Sequence, residues 1–414
     1  MGESVVLPID AVLPQVRAVL QRHTSAVLEA PPGAGKTTRV PLALLDAEWL
    51  GVRRILMLEP RRLAARSAAH FMAGTLGEQI GDTVGYRVRG ESRISSRTRI
   101  EVVTEGVLTR LLSSGASLDA YGLVLFDEFH ERSLQADLGL ALVLETQTHV
   151  RDDLRILVMS ATLDGVGVAQ LLGGAATPAP VVRSDGRAFP VETLHRPPRA
   201  GDRLEATVAR VVREAISESA GDVLVFLPGA SEQRRVAERL TNDDIVRDAR
   251  AIVHQLHGSM PLTAQAAAIA PAREGTRKIV LATSVAETSL TIEGVRVVVD
   301  AGLSRLPRYD ARAGLTRLET VRVSRASADQ RRGRAGRVAP GRCYRLWDAH
   351  EDHSLVPRTR AEVLEADLAP LALELADAGI ADPAALRWLD VPRAGPFAQA
   401  RELLAQLGAL TSGD

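Results

Sequence analysis

Ala30-Pro-Pro-Gly33-Ala34-Gly35-Lys36-Thr37-Thr38 has the composition of a loop that can cradle a phosphate. Glycines let backbone N–H donors approach an anion closely, and a helix opening at Lys36 adds donors and a favourable dipole. Lys36 would reach the β- and γ-phosphates of a nucleotide, and the Thr37 hydroxyl would ligate Mg²⁺. Ala30 stands where the strict pattern has Gly, and a glycine-rich turn with an incidental lysine is the competing reading. Such a site needs an acidic pair at the end of a buried strand. Leu123 to Phe126, followed by Asp127-Glu128-Phe129-His130, meets that need. Asp127 would hold the metal's shell and Glu128 would polarise an attacking water. Alone, the same four residues also read as a strand-to-loop turn with solvated acids, and a single His such as His130 is more often structural. The third group is Gln330-Arg331-Arg332-Gly333-Arg334-Ala335-Gly336-Arg337. Arg334 and Arg337, three apart, project from one side of a helix or turn and suit cationic fingers on a γ-phosphate. An arginine-rich helix resting on nucleic acid is the rival there.

The elements that must position these groups are legible as alternating patterns. Val27-Leu28 enters the glycine loop, and a helical pattern runs from Lys36 to Leu45. Ile55 to Leu58, Ile100 to Val103, Leu123 to Phe126 and Ile156 to Met159 are apolar runs of strand length, with a helix from about Leu63 to Leu76. A second series holds Val223 to Leu227, Ala251 to Val253, Ile279 to Leu281 and Val295 to Val299. Strands alternating with helices imply parallel sheets built by right-handed crossovers. The Pro-rich stretch from Pro190 to Arg199 reads as a linker. After Trp347 the pattern changes to amphipathic helices, Glu362 to Asp377 and Phe397 to Leu410. The expected fold class is α/β, with two tandem sheet domains and a small helical unit over 1–195, 196–346 and 347–414.

Composition narrows the class. The chain has 414 residues, 46% apolar and 25% charged, the balance of a globular protein with real cores. Its longest nearly unbroken apolar run, Leu138 to Leu144, falls short of the ~18–20 residues of a membrane span. Neither a membrane protein nor a secreted one is expected: Cys343 is the one cysteine, and the N-terminus lacks the pattern of a secretory leader. Fifty-one basic and fifty-one acidic residues cancel over the chain. From Arg305 to Arg345, however, twelve Arg face only Asp310, Glu319 and Asp329, a net of +9, and the chain beyond carries −7. Such a stretch suggests a phosphate-facing surface, with a solvated face as the plain alternative. Lysine occurs only at Lys36 and Lys278. In a chain that otherwise uses arginine, a lysine inside the glycine loop points to a demand that a planar guanidinium meets badly.

In this order, on two tandem sheet domains, the glycine loop, acidic pair and arginine octet resemble superfamily 2 helicases, specifically the DEAH-box group. Further segments are similar to that family's motifs: Glu59-Pro-Arg61-Arg62 (motif Ia), Thr104-Glu-Gly-Val-Leu108 (Ib), Ser160-Ala-Thr162 (III), Phe226-Leu-Pro-Gly229 (IV) and Thr283 to Ile292 (V). DEFHERSLQ, APPGAGKTT and LEPRRLAAR look most like the bacterial HrpB branch of ATP-dependent helicases. Ala at the position of Ala30 is common in the family. The resemblance implies two RecA-like domains followed by a winged-helix-like domain. ATP would be held by Gly33, Ala34, Gly35, Lys36, Thr37 and Thr38, with Glu293 near the ribose, and Mg²⁺ by Thr37, Asp127 and Glu128. Ser289 and Gln330 would sense the γ-phosphate or the lytic water, while His130, Ser160 and Thr162 would couple hydrolysis to movement. Arg61, Arg62, Thr104, Gly229 and Thr283 would lie along a bound single strand. Departures from the wider pattern are Phe129 for Ala, Ser284 for Asn, Glu293 for Asp, and Phe71 where many relatives place an adenine-stacking Arg. Phe71 could stack on adenine or belong to the core, and the core is the expectation. Relatives continue into a ratchet-like domain, an OB-like fold and a C-terminal region not seen in this sequence, so a truncated chain or a short paralogue is expected, and the abrupt end at Asp414 favours truncation.

The reading that results is a cytoplasmic ATP-driven translocase on single-stranded nucleic acid, RNA favoured over DNA, moving 3′ to 5′ and unwinding duplexes. A non-hydrolysing binding protein that keeps the motifs as a scaffold is one rival. A nucleotide enzyme acting on small molecules is the other, and motifs Ia and V with the arginine octet count against it.

Overall fold

A computed structural model describes residues 6–113, 118–161, 165–186, 189–287, 292–310 and 313–411. The chain divides into two compact units, one of residues 1–186, 308–316 and 360–414 and the other of 187–307 and 317–359.

The first unit is built on an eight-stranded sheet: β1 (Ser25–Glu29), β2 (Arg54–Glu59), β3 (Val84–Val88), β4 (Glu91–Arg93), β5 (Ile100–Thr104), β6 (Tyr121–Phe126), β7 (Arg155–Ser160) and β8 (Val181–Arg183). Its order is β4-β3-β5-β2-β6-β7-β1-β8, and all pairs are parallel except β3 with β4. The inner strands β1 and β6 are buried along their whole length. That burial is why they read as continuous apolar runs rather than alternating ones. Around the sheet lie α1 (Leu13–Arg22), α2 (Lys36–Ala43), α3 (Arg62–Leu76), α4 (Glu105–Ser113), α5 (Leu134–His149) and α6 (Gly165–Gly173). One core cluster joins Leu28, Val40, Met57, Met72 and Leu125, and a second joins Val27, Leu58, Phe126, Leu140 and Val158.

The second unit holds β9 (Val191–His195), then α7 (Leu204–Glu218), β10 (Asp222–Phe226), α8 (Ala230–Thr241), α9 (Asp244–Asp248), β11 (Ala251–Leu256), α10 (Leu262–Ile269), β12 (Arg277–Ala282) and β13 (Val295–Asp300). The chain then forms the pair β14 (Leu303–Asp310) and β15 (Leu315–Arg322), whose residues 308–316 count with the first unit, before α11 (Arg325–Gly333) and β16 (Gly341–Arg345) of the second. The six-stranded sheet has the order β11-β12-β10-β13-β16-β9 and is parallel throughout. Two α/β units with parallel sheets are what the alternating pattern implied.

Three expectations are corrected. Pro190 to Arg199 is not merely a linker: Val191–His195 forms the edge strand β9, in register with Gly341–Arg345. The flanking prolines fit because an edge strand tolerates Pro at its ends, and its partial exposure leaves no apolar run to recognise. Glu362 to Asp377 is not one helix. A 3₁₀ turn over Glu362–Leu364 is followed by α12 (Ala369–Asp377), whose start is set by Pro370 in its first turn and by Asp367 accepting from Ala369 N at 2.9 Å. Phe71 lies on α3 with 59% of its surface exposed, so it is not a core residue. Within the first unit, α12 and α13 (Ala394–Gln406) pack on α5: Leu371, Leu375, Trp388 and Phe397 share a buried cluster with Leu134, Leu138 and Leu142.

Candidate active site

In a parallel sheet all carboxyl ends lie along one edge, where ligands of such folds bind. Four neighbouring strand ends of the first unit supply the expected groups: β2 leads to Arg61 and Arg62, β6 to Asp127, β7 ends at Ser160, and β1 leads to the glycine loop. Thr104 ends β5, register partner of Glu59 at the end of β2. Five adjacent strands at ~4.8 Å spacing place the five strand ends within roughly 19 Å.

Ala30 N donates to Ser160 O at 3.0 Å, fastening the start of the loop to β7. Gly33 and Gly35 take left-handed conformations (φ 84° and 94°), which glycine adopts without strain. Gly35 also lacks space for a side chain, because a Cβ would meet Leu7 Cδ1 at 2.6 Å. The buried Ala34 accepts from Ile9 N at 3.1 Å. Helix α2 then begins at Lys36, so its free N–H groups and dipole face the loop.

The buried Lys36 Nζ lies 2.9 Å from Glu128 Oε1 and 3.8 Å from Asp127 Oδ1. Burial alone would lower its pKa, but the Glu128 and Asp127 charges and the hydrogen bond to Glu128 outweigh that and raise it. Asp127 is raised, chiefly by burial, against the pull of Lys36. Thr37 Oγ1 donates to Asp127 Oδ2 at 2.5 Å, and Glu128 N donates to Asp127 Oδ1 at 2.8 Å. Glu128 has φ 49°, an uncommon conformation for a non-glycine residue that aims its carboxylate at Lys36. His130 Nδ1 accepts from Ala161 N at 3.2 Å and lies 3.5 Å from Glu128 Oε2, so motif III residues and the acidic turn touch.

A hydroxyl and a carboxylate brought together are hard oxygen donors of the kind Mg²⁺ takes, and that ion keeps most of its shell as water and phosphate. Thr37 and Asp127 therefore fit the expected ion, while Glu128 is engaged by Lys36 and faces His130. Among the described residues no cluster of three or more His, Cys, Asp or Glu offers a self-contained metal cage. Two residues of this neighbourhood were not assigned from sequence, although both stand inside quoted motifs. Glu59 is fully buried beside Asp127, and burial, the Asp127 and Glu128 charges and a hydrogen bond with Asp127 push its pKa well up. Glu131 ion-pairs with Arg61 at 3.1 Å. Arg62 is exposed.

In the second unit Gly229 caps α8 after β10, and a Cβ there would meet Arg305 Nη1 at 2.4 Å and Glu232 Oε2 at 2.9 Å. Thr283 follows β12, and Glu293 is exposed in the turn before β13. Gln330 lies on α11, and Arg334 is buried with Nε donating to Glu287 O at 3.0 Å. Arg337 follows one 3₁₀ turn later and is half-buried. Ser289 and Thr162 lie outside the described residues. Much of the basic stretch is engaged internally. Arg331 bonds Asp300 at 2.8 Å and Glu287 at 3.1 Å, Arg345 bonds Asp329 and Asp352, and Arg342, Arg322 and Arg305 pair with Glu192, Glu351 and Glu232. Net charge along a sequence does not reveal which guanidinium groups fold inward.

The chain matches the DEAD/DEAH box helicase family over residues 12–171 and the helicase conserved C-terminal domain over residues 206–339. It is 48% identical to the ATP-dependent RNA helicase HrpB of Escherichia coli K12 over 98% of its own length and 49% of that protein's. It is 32% identical to the ATP-dependent RNA helicase HrpA of Borreliella burgdorferi, again over 98% of this chain and 49% of the relative. Two crystal structures of E. coli HrpB superimpose with TM-scores of 0.92 and 0.87 at 47% and 46% identity, covering 98% and 100% of this chain and 51% and 50% of theirs. The chain thus spans about half the length of the curated relatives it matches.

Proposed function

The chain belongs to the DEAD/DEAH-box helicase family, in its HrpB branch, with two RecA-like domains, and from that premise we propose that it hydrolyses ATP to move along single-stranded nucleic acid. The observation that carries the reading is the convergence of Lys36, Thr37, Asp127 and Glu128 at the head of α2. In this reading the glycine-loop amides, Lys36 and Thr38 bind the phosphates, and Thr37 and Asp127 hold Mg²⁺. That ion neutralises phosphate charge when bound. Glu128, released from Lys36 when the triphosphate claims the ammonium, orients the attacking water and accepts its proton. Arg334 and Arg337 stabilise the leaving charge, Gln330 and Ser289 sense the γ-phosphate, and Glu293 lies by the ribose. His130, Ser160 and Thr162 couple the site to the strand, which Arg61, Arg62, Thr104, Gly229 and Thr283 grip.

RNA is favoured as the strand because the relatives are named RNA helicases. Movement 3′ to 5′, duplex unwinding and a cytoplasmic setting complete the proposal, together with functional divisions at 1–195, 196–346 and a winged-helix-like 347–414. Among the described residues no helix is long and apolar enough to cross a membrane. Exposed Phe71 offers a ring face for adenine. Steady-state ATP hydrolysis with single-stranded RNA, single-stranded DNA or neither, across a salt series, tests the proposal. Stimulation that weakens steeply with salt is the expected result, because backbone gripping releases counterions. Turnover indifferent to both strands would point to a small-molecule enzyme, and no turnover to a binding scaffold.

A further inference from the structure

The acidic turn is held by two cations, and a phosphate group can compete for each. Lys36 engages Glu128 at 2.9 Å, and three residues later Arg61 engages Glu131 at 3.1 Å. Between the two carboxylates runs a single 3₁₀ turn, Phe129–Glu131, bounded by Glu128 and Arg132, both left-handed at φ 49° and 53°. Two non-glycine residues in that conformation store strain. They persist because the surroundings hold them. Arg132 is fastened by a fork on Asp137, with bonds of 3.1 and 3.0 Å, and by Asp390 at 2.7 Å. On its other side Glu131 acts as a like charge on Glu105, the first residue of α4. A turn strained at both ends, whose carboxylates are neutralised by removable cations, is suited to two arrangements.

The cations differ in access. The Lys36 and Glu128 side chains are 4% and 5% exposed, whereas those of Arg61 and Glu131 are 28% and 19% exposed. A strand backbone can therefore reach Arg61 from solvent, while Lys36 is reached through the glycine loop. We propose that the Arg61–Glu131 ion pair is a latch released by nucleic acid: a backbone phosphate draws Arg61 away from Glu131, and the strained turn carrying Glu128 and His130 shifts toward its hydrolytic arrangement. Glu131 is a positioning residue in this scheme and touches neither strand nor nucleotide. Coupling of this kind is reciprocal, so nucleotide and strand change each other's affinity by the same factor. The inference rests on the function proposed above.

The test uses the full chain, a labelled single-stranded oligouridine of about 20 nucleotides, and the variants Glu131→Gln and Arg61→Gln. Glu131→Gln removes the competitor for Arg61. It should bind the oligonucleotide about threefold tighter without nucleotide, the size expected of a partly exposed ion pair. Its unstimulated ATP hydrolysis should rise, so that the ratio of stimulated to unstimulated rate falls by about the same factor or more. Arg61→Gln breaks the pair from the other side: the ratio falls likewise, but oligonucleotide affinity drops. A double variant that repeats Arg61→Gln, with no further change, is the non-additivity the latch requires. Parent affinity and parent ratio in Glu131→Gln overturn it. Where circular dichroism shows that variant unfolded, Arg61→Gln decides, and a retained ratio there overturns the latch. A parent chain that neither binds nor responds to the oligonucleotide sinks the functional reading first, whereas a responsive parent with unmoved variants sinks the latch alone.

Discussion

Both lysines are buried, and both sit where a compact charge is wanted. Lys36 meets two carboxylates at the head of a helix. Lys278 lies at the other kind of helix end, donating to Ala268 O at 3.3 Å and to Ala270 O just past α10. The first role was legible from the glycine loop, but nothing local in the sequence announces the second, because its carbonyl partners are set by how α10 folds back on β12. Glu128→Gln should lower turnover by about 10²-fold or more. Labelled-nucleotide binding should persist, since Lys36 and the glycine-loop amides proposed to hold the phosphates are unchanged. Unchanged turnover would remove Glu128 from the water-activating role. Gly35→Ala forces a side chain into left-handed backbone and against Leu7. Lower thermal stability and weaker nucleotide binding should appear together, by more than the ~1 kcal/mol of an ordinary Gly-to-Ala change. A variant that binds and melts like the parent would show that the loop has slack.

Elements show where pattern reading succeeds and where it stops. The buried strands β1, β6, β10 and β13 stand out as apolar runs because both faces are covered. The edge strand β9 did not, since an exposed edge needs no such run. Helix α4 carries a consequence that no pattern contains. Burial pushes the carboxyl of its first residue, Glu105, up to about 7; the Ser133 hydrogen bond opposes this, and the charges of Glu131, Glu362 and Asp137 add to it. Between 4.5 and about 7 the folded chain holds a proton that the unfolded chain releases. The stabilisation this brings is therefore complete below pH 4.5 and lost as pH rises to about 7. Glu105→Gln keeps the neutral form at every pH. Thermal unfolding between about pH 5 and 8 should show the parent's melting temperature falling relative to the variant's. Parallel profiles would mean that Glu105 titrates normally.

At the scale of the whole chain, Lys36 and Arg334 belong to different units, yet the proposed chemistry assigns both to one triphosphate. Arg334→Ala should cost about 10³-fold in turnover, by analogy with arginine fingers. Because Arg334 is also buried on Glu287, circular dichroism of the variant must match the parent's before the rate is read. A loss below about tenfold would pass the role to Arg337 or elsewhere. By itself the sequence determined the α/β alternation, the glycine loop, the acidic pair and the order of the motifs, because each is a local demand of backbone geometry or phosphate chemistry. Only the tertiary structure decided which charges meet. It turned Arg331 and Arg345 inward, exposed Phe71, and set Glu131 against an arginine seventy positions earlier in the chain. Such pairings depend on which strands lie side by side and which side chains lose their water, and neither is written in the spacing of residues along the chain.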